Sequence, residues 1–227
     1  MNHNPNQKIC LIGLGQVYES IAADLHAYAS PDTHWLFRPI NHISQLESCA
    51  DSVLSGIPQG VSLFVAVDAI ALNYARMEIF VPAQERGMPM VNLIHKGACC
   101  SPDVRIGCNV WVGPGAVIDY QAEIGDNVMI NPMARIDPQA RIGSHGWVGR
   151  GTSVGSCASL GSNCIIGDDV HIKAYTSIGK QCAIAQPGSW SQNITDGTFV
   201  EKSTWAPSRI IGKGYTFNTS CHAEESA

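Results

Sequence analysis

The feature that most constrains this chain is an apolar residue that recurs every six positions from Ile94 to Ile184. Of the 16 positions in this series, 15 hold Ile, Val or Leu, and the remaining one is Cys100. An amphipathic helix needs apolar residues about 3.6 positions apart and a half-buried strand needs them about 2 apart, so neither element alone explains the repeat. Hexapeptide repeats are typical of parallel β-helices, in which short strands alternate with turns. The repeat therefore predicts a parallel β-helix.

A second regularity joins residues that are 18 positions apart, as expected if three hexads make one triangular coil. One such column consists only of glycines: Gly107, Gly125, Gly143, Gly161 and Gly179. Because glycine adopts a positive φ at little cost, we expect this column to form a corner with that backbone conformation. The repeat contains 16 hexads, which predicts about five coils.

The residues before the repeat follow a different pattern, in which short apolar strands alternate with helical segments. Strands are predicted at 8–13, 34–40, 62–67 and 90–94, and helices at 16–29, 42–54 and 72–84. Such alternation predicts a small parallel sheet with helical crossovers. Ligands of these sheets bind beyond the carboxyl ends of the strands, here near Gly13, Gly15 and Asp68. The glycine turn fits either a phosphate at a helix N-terminus or simply a tight turn.

Composition and length narrow the function classes. The predicted domains of the 227-residue chain are 1–93, 94–189 and a less regular cap and tail at 190–227. A net charge of −5 without a basic run argues against nucleic acid as a partner. With no signal peptide and no stretch of 18 apolar residues, we expect a cytoplasmic protein without a membrane span. Nine cysteines without C-x-x-C pairs predict reduced thiols, and no histidine spacing predicts a metal site.

Four stretches carry a resemblance to a known family: the glycine turn at 13–15, the segment 67–76, residues 92–95 and residues 206–210. On these residues the chain resembles the sialic acid O-acetyltransferase and bacillosamine N-acetyltransferase family. The resemblance implies a Rossmann-like domain that binds a sugar or nucleotide sugar, followed by a left-handed parallel β-helix. It also implies a homotrimer with acetyl-CoA, or another acyl-CoA, at a subunit boundary and a histidine as general base.

The resemblance also implies which residues contact the substrate: Gly13, Gly15, Asp68, Asn73, Arg76 and His95. The chain departs from the family at the catalytic position, where Pro138 stands in place of the histidine. Trp147 occupies the position of a second active-site histidine. Neither side chain can accept a proton from a nucleophile, so acyl transfer requires another base.

Three residues are candidates for that base. His145 interrupts a column of amides formed by Asn109, Asn127, Asn163 and Gln181. A pKa near 6.5 suits a histidine for proton abstraction at neutral pH, although His145 fits an exposed corner residue as well. His171 stacks over Ser153 and is either an exposed strand residue or a second candidate. Asp137 is the third, although aspartate is also expected in that turn.

Basic residues toward the end of the chain predict where the phosphates of CoA bind. The predicted cofactor residues are Gly155, Lys173, Lys180, Lys202 and Arg209. An ordinary solvated surface explains the same charges. The sequence therefore predicts a CoA-dependent acyltransferase that acts on a hydroxyl or amine of a sugar. The alternative is a non-catalytic trimer that binds a sugar nucleotide or acyl carrier, because Pro138 replaces the family histidine.

Overall fold

The fold is known from a computed structural model, which describes residues 7–41, 50–201 and 208–209. Lys202 lies outside the described residues, and only the backbone of Arg209 is described. Of the predicted helix at 42–54, the described part is Ala50–Leu54.

The N-terminal unit is built on a three-stranded parallel sheet with the strand order β2-β1-β3. Its strands are β1 (Lys8–Leu14), β2 (His34–Pro39) and β3 (Ser62–Val67). Its helices are α1 (Gln16–Ala23), a 3-10 turn (Leu25–Ala27), α2 (Ala50–Leu54) and α3 (Tyr74–Glu85). The central strand β1 is almost wholly apolar and buried, which explains its position between the other two.

Two predicted elements differ in the structure. The helix expected at 16–29 ends at Ala23, because Asp24 leaves the helical conformation with ψ 61°. The strand expected at 90–94 is divided between two partners. Met90 bridges to Leu63 of the N-terminal sheet, whereas Leu93–Ile94 pairs with the β-helix.

The remainder is a parallel β-helix whose strands form three faces. The first face has the order β22-β21-β19-β16-β13-β10-β7-β4, the second β20-β17-β14-β11-β8-β5, and the third β18-β15-β12-β9-β6. The strands are β4 (Leu93–Ile94), β5 (Cys99–Cys100), β6 (Arg105–Ile106), β7 (Trp111–Val112), β8 (Val117–Ile118), β9 (Glu123–Ile124), β10 (Met129–Ile130), β11 (Arg135–Ile136), β12 (Arg141–Ile142), β13 (Trp147–Val148), β14 (Ser153–Val154), β15 (Ser159–Leu160), β16 (Ile165–Ile166), β17 (Val170–Ile172), β18 (Ser177–Ile178), β19 (Ala183–Ile184), β20 (Gly188–Trp190), β21 (Thr198–Val200) and the antiparallel β22 (Ser208–Arg209).

The predicted repeat is confirmed in its period and in its stacking. From β4 to β20 strand partners lie 18 residues apart, as in Ser153↔His171, and the recurring aliphatic residues form one continuous core. The partners of β19 and β21 lie 16 apart. Burial of each such side chain contributes about 1.5–3 kcal/mol. The described strands make about six coils rather than five, because β20 and β21 extend the stack beyond Ile184.

The N-terminal unit packs against the first face of the β-helix. Ile9 and Phe64 from its sheet share one apolar cluster with Trp111 and Met129 of that face. The side chain of Asn109 also pairs with the free edge of β3. Its Oδ1 accepts a hydrogen bond from the Val65 N–H at 2.8 Å, and its Nδ2 donates to the Val65 carbonyl at 3.1 Å.

The glycine column has a different physical cause from the one expected. None of its five glycines has a positive φ. A Cβ at Gly161 would instead lie 2.6 Å from the Lys180 nitrogen of the next coil. The positive φ values occur two residues later, in Asn109, Asn127 and His145 among others. Glycine is therefore required here by the close approach of neighbouring coils.

We expect Gly161→Ala to destabilise the fold by about 1–3 kcal/mol, the usual effect of overpacking against a backbone that cannot move aside. Thermal unfolding followed by circular dichroism measures the effect. The matched control is Ser177→Ala, an exposed position on the third face for which we expect a change within about 0.5 kcal/mol. Equal melting temperatures for Gly161→Ala and the wild type would contradict this explanation.

Candidate active site

The carboxyl ends of the N-terminal strands meet at the glycine turn. The carboxylate of Asp68 accepts hydrogen bonds from the N–H groups of Gln16 at 2.7 Å and Val17 at 3.0 Å. Gly15 has φ 97°, and a Cβ there would collide with the same carboxylate. Because Asp68 occupies the N-terminus of α1, the geometry favours the tight turn over a phosphate site. The substrate contacts predicted for these residues stay predictions.

A short left-handed segment leads from this edge into α3. Ala71, Leu72 and Asn73 have φ values of 47°, 52° and 64°, a conformation that costs each non-glycine residue about 1–2 kcal/mol. The β-helix holds the segment in place. The Leu72 carbonyl accepts from Asn163 Nδ2 at 3.3 Å, and Asn73 Nδ2 donates to the His145 carbonyl at 2.8 Å. Strained backbone of this kind persists where neighbouring contacts over-determine it.

Arg76 is completely buried beside this segment. Its guanidinium donates to the carbonyls of Val67, Asn127 and Gly146 at 2.9, 3.1 and 3.2 Å. It also donates to the side-chain oxygens of Asn127 at 3.1 Å and Asn73 at 3.4 Å. Burial lowers the pKa of Arg76 to about 9, and the charge of Asp68 opposes that shift. Arg76 therefore stays cationic at neutral pH, and a substrate contact would require this junction to open.

The amide column fixes the direction of its own hydrogen bonds. Arg76 Nε and Asn109 Nδ2 both donate to Asn127 Oδ1, at 3.1 and 2.8 Å. The other end of that amide, Asn127 Nδ2, lies 2.9 Å from His145 Nδ1. Since an amide nitrogen only donates, Nδ1 of His145 must accept, and the neutral ring carries its proton on Nε2.

This arrangement places His145 in the junction between the two units. Burial lowers its pKa, the charge of Arg76 lowers it further, and Asp126 acts in the opposite direction. The ring packs edge-on against Phe80 with 5.7 Å between the centroids. The nitrogen that holds a lone pair is therefore engaged by Asn127, which weighs against the predicted role of His145 as a base.

His171 and Asp137 lie on the second face, away from the N-terminal unit. Ser153 Oγ is 2.9 Å from His171 Nδ1, and both side chains are half-buried. Asp137 follows β11, and its Oδ1 lies 2.8 Å from Arg135 Nε. His95 lies at the start of the β-helix, where its Nδ1 accepts from the Gly97 N–H at 2.9 Å. Its ring contacts Tyr28 at 5.2 Å, so it belongs to the junction.

The third face carries a cavity of about 700 Å³ that the sequence did not indicate. Glu123 lies between two arginines, 3.0 Å from Arg105 Nη1 and 3.6 Å from Arg141 Nε. The cavity also borders Gln139, the residue after the position aligned with the family histidine, and Cys157. Arg105, Glu123 and Arg141 each precede an inward-facing isoleucine. Because every face of the β-helix has this alternation, the sequence pattern alone did not single out the cavity.

The predicted cofactor residues are distributed over different corners. Gly155 follows β14 and Lys173 follows β17, so both flank the second face. Lys180 follows β18 of the third face, and both lysines are exposed. A Cβ at Gly155 would lie 2.5 Å from the Ala174 nitrogen, which explains glycine there by coil packing. Contacts with CoA stay predictions for all five residues.

Two further findings concern the described residues only. Within 7–41 and 50–201, no helix combines the length and apolar character that a membrane span needs. In the same part of the chain, no three His, Cys, Asp or Glu side chains come together as a metal site would require.

Comparison with known proteins defines the class of the repeat. Residues 103–138 match the family model described as bacterial transferase hexapeptide (six repeats). The match agrees with the hexapeptide repeat that the six-residue period predicted. No curated protein is significantly similar to the chain in sequence.

Solved structures share the fold of nearly the whole chain. A mutant of perosamine N-acetyltransferase from Caulobacter crescentus, solved with CoA and GDP-perosamine, is 22% identical with a TM-score of 0.66. The alignment covers 88% of this chain and 95% of that one. WeeI from Acinetobacter baumannii is 12% identical with a TM-score of 0.55, over 87% of this chain and 98% of its own. At this identity, the likeness confirms the fold.

We expect His145→Asn to fold normally and to keep catalytic turnover within about threefold of the wild type. Asparagine occurs elsewhere in the same column with a positive φ, as at Asn127 and Asn163. Loss of a general base would instead reduce turnover about 100- to 10,000-fold. Steady-state kinetics decide between the two outcomes, and a fall of that size would show that His145 is the base.

The same variant tests the lowered pKa of His145. Because the folded state disfavours the charged ring, the unfolded state binds more protons as the pH falls below the ordinary value of 6.5. The wild type should therefore lose stability from about pH 6.5 downward, and His145→Asn should lose less. Melting temperatures measured from pH 5 to 8 give the comparison. Parallel curves would contradict a lowered pKa for the half-buried His145.

Proposed function

We propose that this protein is a CoA-dependent acyltransferase that transfers an acyl group, acetyl being the simplest, to an amine or hydroxyl of a nucleotide-linked sugar. The observation that carries the proposal is the shared two-part fold, which extends over 95% of the perosamine N-acetyltransferase solved with CoA and GDP-perosamine. The match of residues 103–138 to a transferase repeat supports it independently.

In this proposal each part of the chain has a separate task. Residues 1–93 form a Rossmann-like unit that holds the sugar nucleotide at the carboxyl ends of its strands. Residues 94–189 form a left-handed parallel β-helix along which the acyl donor binds. The C-terminal region is 190–227, of which the described residues 190–201 continue the last coils. The nucleotide phosphates bind away from the N-terminus of α1, because the backbone N–H groups of Gln16 and Val17 there already donate to the Asp68 carboxylate.

The outer surface of the β-helix offers charges that suit a phosphorylated acyl donor. In the cavity on the third face Arg105 and Arg141 are balanced by Asp103 and Glu123, whereas Lys173 and Lys180 are exposed at neighbouring corners. Guanidinium and ammonium groups form charge-assisted hydrogen bonds with phosphate. Acetyl-CoA supplies an acyl group that is activated as a thioester. The chain must supply a base that takes the proton from the attacking amine or hydroxyl.

A homotrimer is part of the proposal. Tyr120, Met133 and Tyr175 are large apolar side chains at β-helix corners, and they are 50%, 69% and 79% exposed. Tyr120 and Tyr175 lie at the corner between the second and third faces, and Met133 lies at the corner between the first and second, where each is available to contact a neighbouring copy. A triangular prism also presents flat faces that copies of the chain can bury against one another around a closed axis.

We expect acetyl-CoA to raise the melting temperature and the protein to acetylate a nucleotide-linked sugar. Ligand present at about 100 times its Kd stabilises the native state by about 2.7 kcal/mol. The assay pairs thiol release with mass spectrometry of the product, for a panel of amino sugars and their hydroxyl counterparts linked to nucleotides. Thermal stabilisation without transfer to any acceptor would favour the binding-protein alternative. Absence of stabilisation by acetyl-CoA, by CoA and by every nucleotide-linked sugar of the panel would contradict both functions.

We expect sedimentation equilibrium at micromolar concentration to give the mass of a trimer. Tyr175→Asp places a charge on the proposed contact and should shift the equilibrium toward monomer. The matched control is Val81→Asp, which changes an apolar residue of α3 that is 38% exposed. A monomeric or dimeric wild type, or equal trimer stability in both variants, would contradict the assembly.

A further inference from the structure

A serine and a histidine form a pair on the second face of the β-helix. Ser153 in β14 and His171 in β17 are register partners in adjacent parallel strands. The hydroxyl oxygen of Ser153 lies 2.9 Å from His171 Nδ1, and both side chains are half-buried. Val154 and Ile172, the next residues along each strand, are buried in the core and fix the backbone of both. The pair is therefore held on rigid elements and faces outward.

The partner of His171 differs in kind from the partners of two other histidines. His95 Nδ1 accepts from the backbone N–H of Gly97, which cannot reverse its role. His145 Nδ1 faces the amide nitrogen of Asn127, which the surrounding network also fixes as a donor. Both rings must therefore keep Nδ1 unprotonated while these bonds exist. A hydroxyl both donates and accepts, so only the ring of His171, of these three, is free to carry its proton on Nδ1.

That freedom matters for a base. With Nδ1–H donated to the Ser153 oxygen, the lone pair of His171 lies on Nε2, where it can accept a proton. When Nε2 becomes protonated, the Nδ1–H bond to the hydroxyl is kept and the imidazolium gains a charge-assisted acceptor. For His145 the same protonation would set an N–H against the N–H of Asn127. Proton uptake is therefore compatible with the local contacts of His171 and opposed at His145.

The third candidate base is already paired. Asp137 Oδ1 lies 2.8 Å from Arg135 Nε, and the Asp137 side chain is 21% exposed. The ion pair with Arg135 therefore already engages this carboxylate. His171, in contrast, lies beside the corner that holds Lys173, one of the residues predicted to contact CoA.

We propose that His171 is the general base of acyl transfer and that Ser153 is the residue that positions it. This inference rests on the proposed function. The attacking amine or hydroxyl of the sugar loses its proton to His171 Nε2 as a C–N or C–O bond forms to the acyl carbon. The C–S bond of the thioester then breaks, and the proton on Nε2 passes to the departing thiolate. Atoms and charge balance, since acyl donor and sugar become acylated sugar and thiol.

The test compares four variants in the full-length protein. We expect His171→Gln to lower kcat about 100- to 10,000-fold. Ser153→Ala should lower kcat about 10-fold at an unchanged KM, as for loss of a hydrogen bond to a group that becomes charged. Ser153→Thr keeps the hydroxyl on a residue that suits strands and should restore most of kcat. The matched control is Ser177→Ala, which removes the equivalent hydrogen bond between the hydroxyls of Ser159 and Ser177 on the third face.

A second readout tests the pair without turnover. In protein with ¹⁵N-labelled histidine, assigned by comparison with His171→Gln, we expect neutral His171 to carry its proton on Nδ1 in the wild type and in Ser153→Thr. Ser153→Ala should shift the ring toward the Nε2–H form. Full kcat in Ser153→Ala or His171→Gln, or an unprotonated Nδ1 in the wild type, would overturn the inference. If the wild type transfers no acyl group, the proposed function fails instead. The tautomer measurement alone then decides whether Ser153 determines which nitrogen of His171 carries the proton.

Discussion

The structure depends on one buried cation that has no carboxylate among its hydrogen-bond acceptors. Arg76 lies at zero exposure, and five oxygens of β3, α3 and the β-helix corner accept its hydrogen bonds. A buried charge with any partner missing is costly, so the guanidinium requires both units to be in place. Its contact with Asn127 then sets the direction of the amide column and, through it, the proton position on His145. The hydrogen bonds of Arg76 therefore determine both the packing of the two units and the tautomer of His145.

Periodicity predicted the parts of the fold that repeat. A six-residue period specifies which side chains face inward, and an 18-residue period specifies which residues stack, whatever the neighbouring sequence. The reason for the glycine column could not be read in this way. Glycine fits both a positive φ and a close contact, and only the position of the next coil shows that Gly161 is limited by contact with the Lys180 backbone. Asparagine and histidine adopt the positive φ instead.

The site was predictable in its residue types more than in their roles. The resemblance predicted Asn73 and Arg76 as substrate contacts. Both side chains are buried in the junction, and burial of a polar residue after a strand cannot be read from the sequence. The interruption of the amide column by His145 was visible in the sequence, whereas the fixed donor at Asn127 depends on Arg76, which is 51 residues away in sequence. The pairing of Ser153 with His171 followed from the 18-residue stacking. What the sequence lacked was the contact between the Ser153 hydroxyl and His171 Nδ1, because a partner that can donate or accept distinguishes this histidine from His95 and His145.

Asn109 has a consequence for the order in which the chain folds. During synthesis β1, β2 and β3 leave the ribosome well before this residue. At that stage β3 is an edge strand of the sheet, and its backbone groups at Val65 are unpaired. Such edges readily pair with other chains until they are covered. The asparagine that covers this edge belongs to the first coils of the β-helix, and its own position depends on stacking with Asn127. The backbone groups of Val65 therefore stay uncovered, and open to pairing with other chains, until at least two coils exist.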